Sequence, residues 1–154
     1  MSDERTTTVS DFLSGNAVFG YVSGSPSSAD QVAAESREAG MVARVVRGSR
    51  MRTLGALFDE FAASFQFPHY FGHNKDAFDE CMRDLDEFTG GGAGYVVVVR
   101  DSEQLLADEP KVRAWFDESM EFYAEEWSPT PFRVVLQGAG DAPQGVAFVN
   151  LRPA

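Results

Sequence analysis

Apolar positions recur along the chain at two spacings. Residues 17–22, 41–46, 95–100, 132–136 and 145–151 are short runs rich in valine, other aliphatics and aromatics, the texture of strands. Between them the apolar residues step by three and four, the period of a helix with one buried side. Leu54, Leu57, Phe58, Phe61 and Phe65 form one such stripe behind Thr53, a natural helix cap, and Pro68 lies beyond its end. Phe78, Cys81, Met82, Leu85 and Phe88 form a second. It predicts a helix over residues 75–88 capped by Asn74, with Asp76 in the first turn, where the helix dipole favours an anion. Val112, Trp115, Phe116, Met120 and Tyr123 form a third, entered through Pro110.

Residues 23–28 read as a loop, and Ser28 as the cap of a helix running to about residue 38 and stopped by Gly40. Residues 102–108 are expected to form a short helix, and the polar residues 1–12 to be a disordered, fraying tail. The order strand, helix, strand implies a crossover that leaves two strands parallel. The expected architecture is therefore α/β: a small, mainly parallel sheet flanked by helices, in a single domain over residues 13–154.

Composition agrees with a packed domain. Of 154 residues, 44% are hydrophobic and one is cysteine, which suffices for a core and excludes a disulfide framework. Two His and one Cys are too few for a Cys/His zinc cage. No apolar run approaches the roughly 18–20 residues of a membrane helix, and the acidic start, Met1 to Glu4, is unlike a secretory leader. The expectation is a cytoplasmic protein with no membrane contact and no cofactor.

Charge sharpens the picture. The formal net charge is −11, which disfavours nucleic acid as a ligand. Residues 1–52 balance six acids with six bases, so the whole excess falls on residues 53–154, with 18 acids and 7 bases. Within residues 74–88 six acids (Asp76, Asp79, Glu80, Asp84, Asp86 and Glu87) face only Lys75 and Arg83 as bases. Such a surface either keeps the protein soluble or steers a basic partner.

Enzymatic chemistry finds little support. His69 and His73 are four apart, with Asp76 and Glu80 following, and a metal-assisted hydrolase could use these four. Pro68 and Gly72 make the spacing a loop, however, and loop histidines are the plainer reading. Cys81 lies on an apolar stripe, where a thiol packs as a small hydrophobe. There is no Gly-x-Ser-x-Gly turn, and the glycine-rich residues 90–94 precede a strand, whereas a phosphate loop follows one. Aromatics and a glycine bend beside converging carboxylates suit a protein partner better: apolar area for affinity, charge for steering.

The stretch from Phe67 to Leu85, FPHYFGHNKDAFDECMRDL, resembles the signature of barstar-type ribonuclease inhibitors, in which Pro-x-Tyr-Phe/Tyr-Gly-x-Asn-x-Asp-Ala leads into a helix bearing Asp or Glu before Cys-Leu. The resemblance covers about residues 41–138, and residues 14–40 look like the extra strand–helix unit of longer members. It implies a non-enzymatic inhibitor of a small basic extracellular-type ribonuclease, acting inside the producing cell by pressing an acidic helix and its loop into the phosphate-binding site; a monomer is expected. By position it implies an aromatic contact at Tyr70, loop–helix junction roles for Asn74 and Asp76, a contact at Asp79, the central carboxylate at Glu80 and a second acid at Glu118. Lys75 and Asp79 depart from the family's usual apolar or aromatic choices, so the same scaffold serving a different basic partner, such as a non-nuclease toxin or a regulator, stays open beside the inhibitor.

Overall fold

The computed structural model describes residues 6–68 and 71–153. Six strands form one sheet: Thr6–Thr8 (β1), Phe19–Ser23 (β2), Val42–Arg47 (β3), Tyr95–Arg100 (β4), Phe132–Gly138 (β5) and Ala147–Asn150 (β6). Their order is β1-β6-β2-β5-β4-β3, and every pairing among the described residues is parallel. The helices are Val9–Ser14 (α1), Pro26–Glu38 (α2), Leu54–Phe65 (α3), Lys75–Arg83 (α4), Leu85–Thr89 (α5) and Arg113–Trp127 (α6).

The valine run of β4 explains why the sheet is covered on both sides. Successive side chains alternate faces. Val96 and Val98 pack with Val9, Phe12, Ala29, Val32 and Ala33 of α1 and α2. Tyr95, Val97 and Val99 pack with Leu57, Phe61, Phe78, Met82, Phe116 and Met120 of α3, α4 and α6. A central parallel strand apolar on both faces needs helices on both faces, and the result is a three-layer α/β/α fold.

Several local expectations are corrected. Residues 6–12 are not a frayed tail: β1 pairs with β6, and α1 buries Val9, Phe12 and Leu13 against α2 and the sheet. Helix α2 begins earlier than expected, with Ser25 at the N-cap and Pro26 in the first turn, the position where a missing N–H costs nothing. Residues 102–108 form a single 3-10 turn, Ser102–Gln104, followed by turns. The helix expected over residues 75–88 is two helices, because Asp84 leaves helical backbone at φ −120° and ψ 26°. β2 and β3 lie in one parallel sheet without being neighbours, since β5 and β4 separate them.

Candidate protein-docking face on helices α4 and α6

Local chemistry builds the junction before α4. Phe71 is buried and sets its ring edge-on to Phe58 and Phe67, with centroids 6.0 and 5.2 Å away. That anchor fixes where the loop turns. His73 follows with a left-handed φ of 51°. Its Nδ1 lies 3.1 Å from the Phe71 carbonyl oxygen and its Nε2 lies 2.8 Å from Asp59 Oδ1 on α3. Asn74 then caps α4: Oδ1 accepts from the backbone N–H of Ala77 at 2.8 Å, and Nδ2 donates to the Gly72 carbonyl at 3.3 Å. Tyr70, expected as the aromatic contact, and His69 lie outside the described residues.

The apolar side of α4 faces inward. Phe78, Cys81 and Met82 are buried, and Phe78 meets Phe61, Trp115 and Tyr123 at centroid distances of 5.2, 5.7 and 6.1 Å. Burial, reinforced by Asp84 and Glu80, pushes the Cys81 thiol up to about 11, the state of a packed thiol and not of a nucleophile. Asp76, Glu80 and Asp84 form the exposed ridge, with Arg83 exposed on its flank.

Helix α6 packs alongside. Lys75 Nζ sits 5.2 Å from the centroid of the Trp115 ring. The Tyr123 hydroxyl donates to Asp79 Oδ1, Trp127 Nε1 donates to the Met82 carbonyl at 2.9 Å, and Arg83 Nη2 pairs with Glu126 Oε1 at 3.1 Å. These partners ascend together along both chains, so the two helices run side by side in the same sense. Between them lies an open groove of about 380 Å³ lined by Glu80, Arg83, Asp84, Glu126 and Trp127.

The packing sorts the charges. Both basic residues of α4 are drawn toward α6, Lys75 onto an indole and Arg83 onto a carboxylate. Among the described residues, no ion pair or side-chain hydrogen bond engages Asp76, Glu80 or Glu118, all exposed. Glu118 lies on α6 at a level between the Trp115 and Tyr123 contacts. Asp79 differs from its neighbours: it is half-buried and held by Tyr123. Tyr123 itself is raised above the ordinary tyrosine range, first by burial and then by Asp79.

Among the described residues, no three His, Cys, Asp or Glu side chains gather as a metal-holding group, and no helix is long and apolar enough to cross a membrane. Sequence reasoning left Phe122, Glu126 and the role of Tyr123 unnoticed. The signal for Phe122 was present, since it is the aromatic of α6 that falls off the stripe 112, 115, 116, 120 and 123.

A family model described as Barstar (barnase inhibitor) matches residues 41–137, which run from β3 into β5 and contain the loop, α4 and α6. β1, α1, β2, α2 and β6 lie outside that match. No curated protein matches the chain. The matched residues are more than half of its length, and the chain belongs to the barstar (barnase inhibitor) family.

Proposed function

We propose that this protein is a monomeric, cytoplasmic inhibitor of a small basic ribonuclease, and that it blocks the nuclease by setting the α4 ridge and the preceding loop into the phosphate-binding cleft. A ribonuclease has to gather Arg and Lys to hold RNA phosphate. A rigid carboxylate offered at that place gains charge-assisted hydrogen bonds and excludes substrate. Glu80 is the central carboxylate of this reading. Asp76 contacts the partner from the first turn, Asn74 shapes the junction, Tyr70 adds aromatic area, and Asp79 and Glu118 contribute from the α6 side.

One observation supports the reading most: Asp76 and Glu80 stand exposed on a capped helix, with no described cation paired to either, while Lys75 and Arg83 are tied to α6. The test is inhibition of barnase. Glu80→Ala and Asp76→Ala should each weaken binding by at least about tenfold, as truncation of a central interface charge does, with thermal unfolding unchanged. Parent-like inhibition by both variants would sink the assignment. A parent protein that leaves barnase fully active would sink the function.

A further inference from the structure

Among the described residues, Phe122 is the one large apolar side chain that stands exposed, at 44%. A single exposed hydrophobe is ordinary on a protein surface. Its setting here is specific. Glu118 lies one turn before it, Glu125 and Glu126 one turn after, and Glu121 beside it, all exposed. Its ring meets the Tyr123 ring edge-on at 5.8 Å, and the Tyr123 hydroxyl holds Asp79 on α4. Glu126 pairs with Arg83 and lines the groove that Glu80 also lines. Phe122 therefore stands on α6 next to the buried tyrosine that ties this helix to Asp79, at the edge of the α4 ridge.

We propose, resting on the inhibitor reading above, that Phe122 is the apolar anchor of a second contact. The outer face of α6 grips the rim of the basic partner while α4 fills its cleft. The partner's rim presents an apolar depression bordered by Lys or Arg. An aromatic anchor surrounded by charge matches the anatomy of an interface in which a few buried side chains carry affinity and the surrounding charges carry steering and register. The occupant is a basic protein and not a second copy of this chain. Self-association through Phe122 would set Glu118, Glu121, Glu125 and Glu126 against the same four carboxylates, and like charges across an interface oppose docking.

The division of labour predicts distinct kinetics. Apolar anchoring acts on dissociation, whereas charge acts on encounter. Surface plasmon resonance with immobilised barnase should find that Phe122→Ala dissociates about 10–100-fold faster than the parent with little change in association. Phe122→Leu, which keeps apolar area, should retain most of the residence time. Phe122→Glu discriminates further: an anchor predicts weaker binding, whereas a face working by charge alone predicts binding at least as tight. All three variants should melt cooperatively and close to the parent, since Phe122 lies outside the buried core.

Parent-like dissociation of Phe122→Ala and Phe122→Glu, with loss of binding in Glu80→Ala, would overturn the anchor and leave the inhibitor reading standing. No binding of barnase by the parent would overturn both. A parent dimer that Phe122→Ala separates in sedimentation velocity would overturn the proposal in favour of a second copy.

Discussion

The hydroxyl of Tyr123 on α6 donates to Asp79 on α4, from a side chain that is fully buried to a carboxylate at the edge of the acidic ridge. With the Lys75–Trp115, Trp127–Met82 and Arg83–Glu126 contacts, this bond holds α4 against α6 and so helps set the direction in which Asp76 and Glu80 point. Tyr123→Phe leaves a half-buried carboxylate without its donor and should cost about 1–3 kcal/mol. In a double-mutant cycle by urea unfolding, Tyr123→Phe and Asp79→Ala should cost less together than the sum of the two alone. Simple additivity would mean that the bond contributes nothing to holding the helices.

How much of this was legible in the sequence depends on the range of each interaction. The caps at Thr53 and Asn74 were readable because a side-chain oxygen reaches an N–H three residues on, a purely local event. The stripe of α3 was readable for the same reason. The break at Asp84 was hidden because Leu85 and Phe88 stay on the core side across it, so the apolar period continues although the backbone does not. The ordering of residues 6–14 was hidden because three threonines and a six-residue helix carry no pattern long enough to read. Pairing with β6, some 140 residues away, orders them. Of the docking face, the α4 ridge was visible as charge on one helix side, whereas its coupling to Trp115, Tyr123 and Glu126 depends on a helix brought alongside by the sheet.

Lys75 illustrates that coupling. In the sequence it is a positive charge beside carboxylates meant for a basic partner. In the fold it lies over Trp115, away from the ridge but still within reach of a partner's field. Lys75→Gln should therefore act in two opposite ways. Loss of the cation–π contact should lower stability by about 0.5–1 kcal/mol. Removal of a like charge should speed association with a basic nuclease by about 2–5-fold at low salt, and this gain should vanish at high salt. Stopped-flow mixing at two ionic strengths reads the second effect. Unchanged association at low salt would mean that Lys75 is electrostatically silent toward the partner.

Asn74 joins the loop to the ridge. Asn74→Ala removes the acceptor for the Ala77 N–H and should cost about 1 kcal/mol of stability. Asn74→Asp keeps the cap and places an anion at the positive end of the helix dipole, so it should match or exceed the parent in stability. If the junction also orients Asp76, Asn74→Ala should weaken inhibition more than Asn74→Asp. Chemical denaturation beside inhibition assays separates the two effects, and equal inhibition by both variants would confine Asn74 to a capping role.

Glu60 on α3 secures the open edge of the sheet. β3 pairs on one side only. On its other side the Arg47 N–H donates to Glu60 Oε2 at 2.9 Å, while the Arg47 guanidinium donates to both carboxylate oxygens at 2.8 and 2.9 Å. Ser64 Oγ donates to the Val45 carbonyl at 2.9 Å, and Arg37 donates to the Ala43 carbonyl at 2.8 and 3.2 Å. Side chains thus occupy three of the backbone groups through which another strand would add. The hydrogen bond from Arg47 holds the Glu60 carboxyl below its ordinary value even though burial opposes it. A carboxyl depressed in the folded state binds fewer protons there than in the unfolded chain. Its contribution is therefore fully present above the unfolded value, about 4.3 for glutamate, and is lost as pH falls through the lower folded value. Glu60→Gln should be less stable than the parent at neutral pH by about 1.5–3 kcal/mol, the range for hydrogen bonds to a charged group. The difference should narrow as the solution is acidified below about pH 4.3. Melting temperatures of both proteins across that acid range test the linkage, and a gap that stays constant or widens toward low pH would refute it.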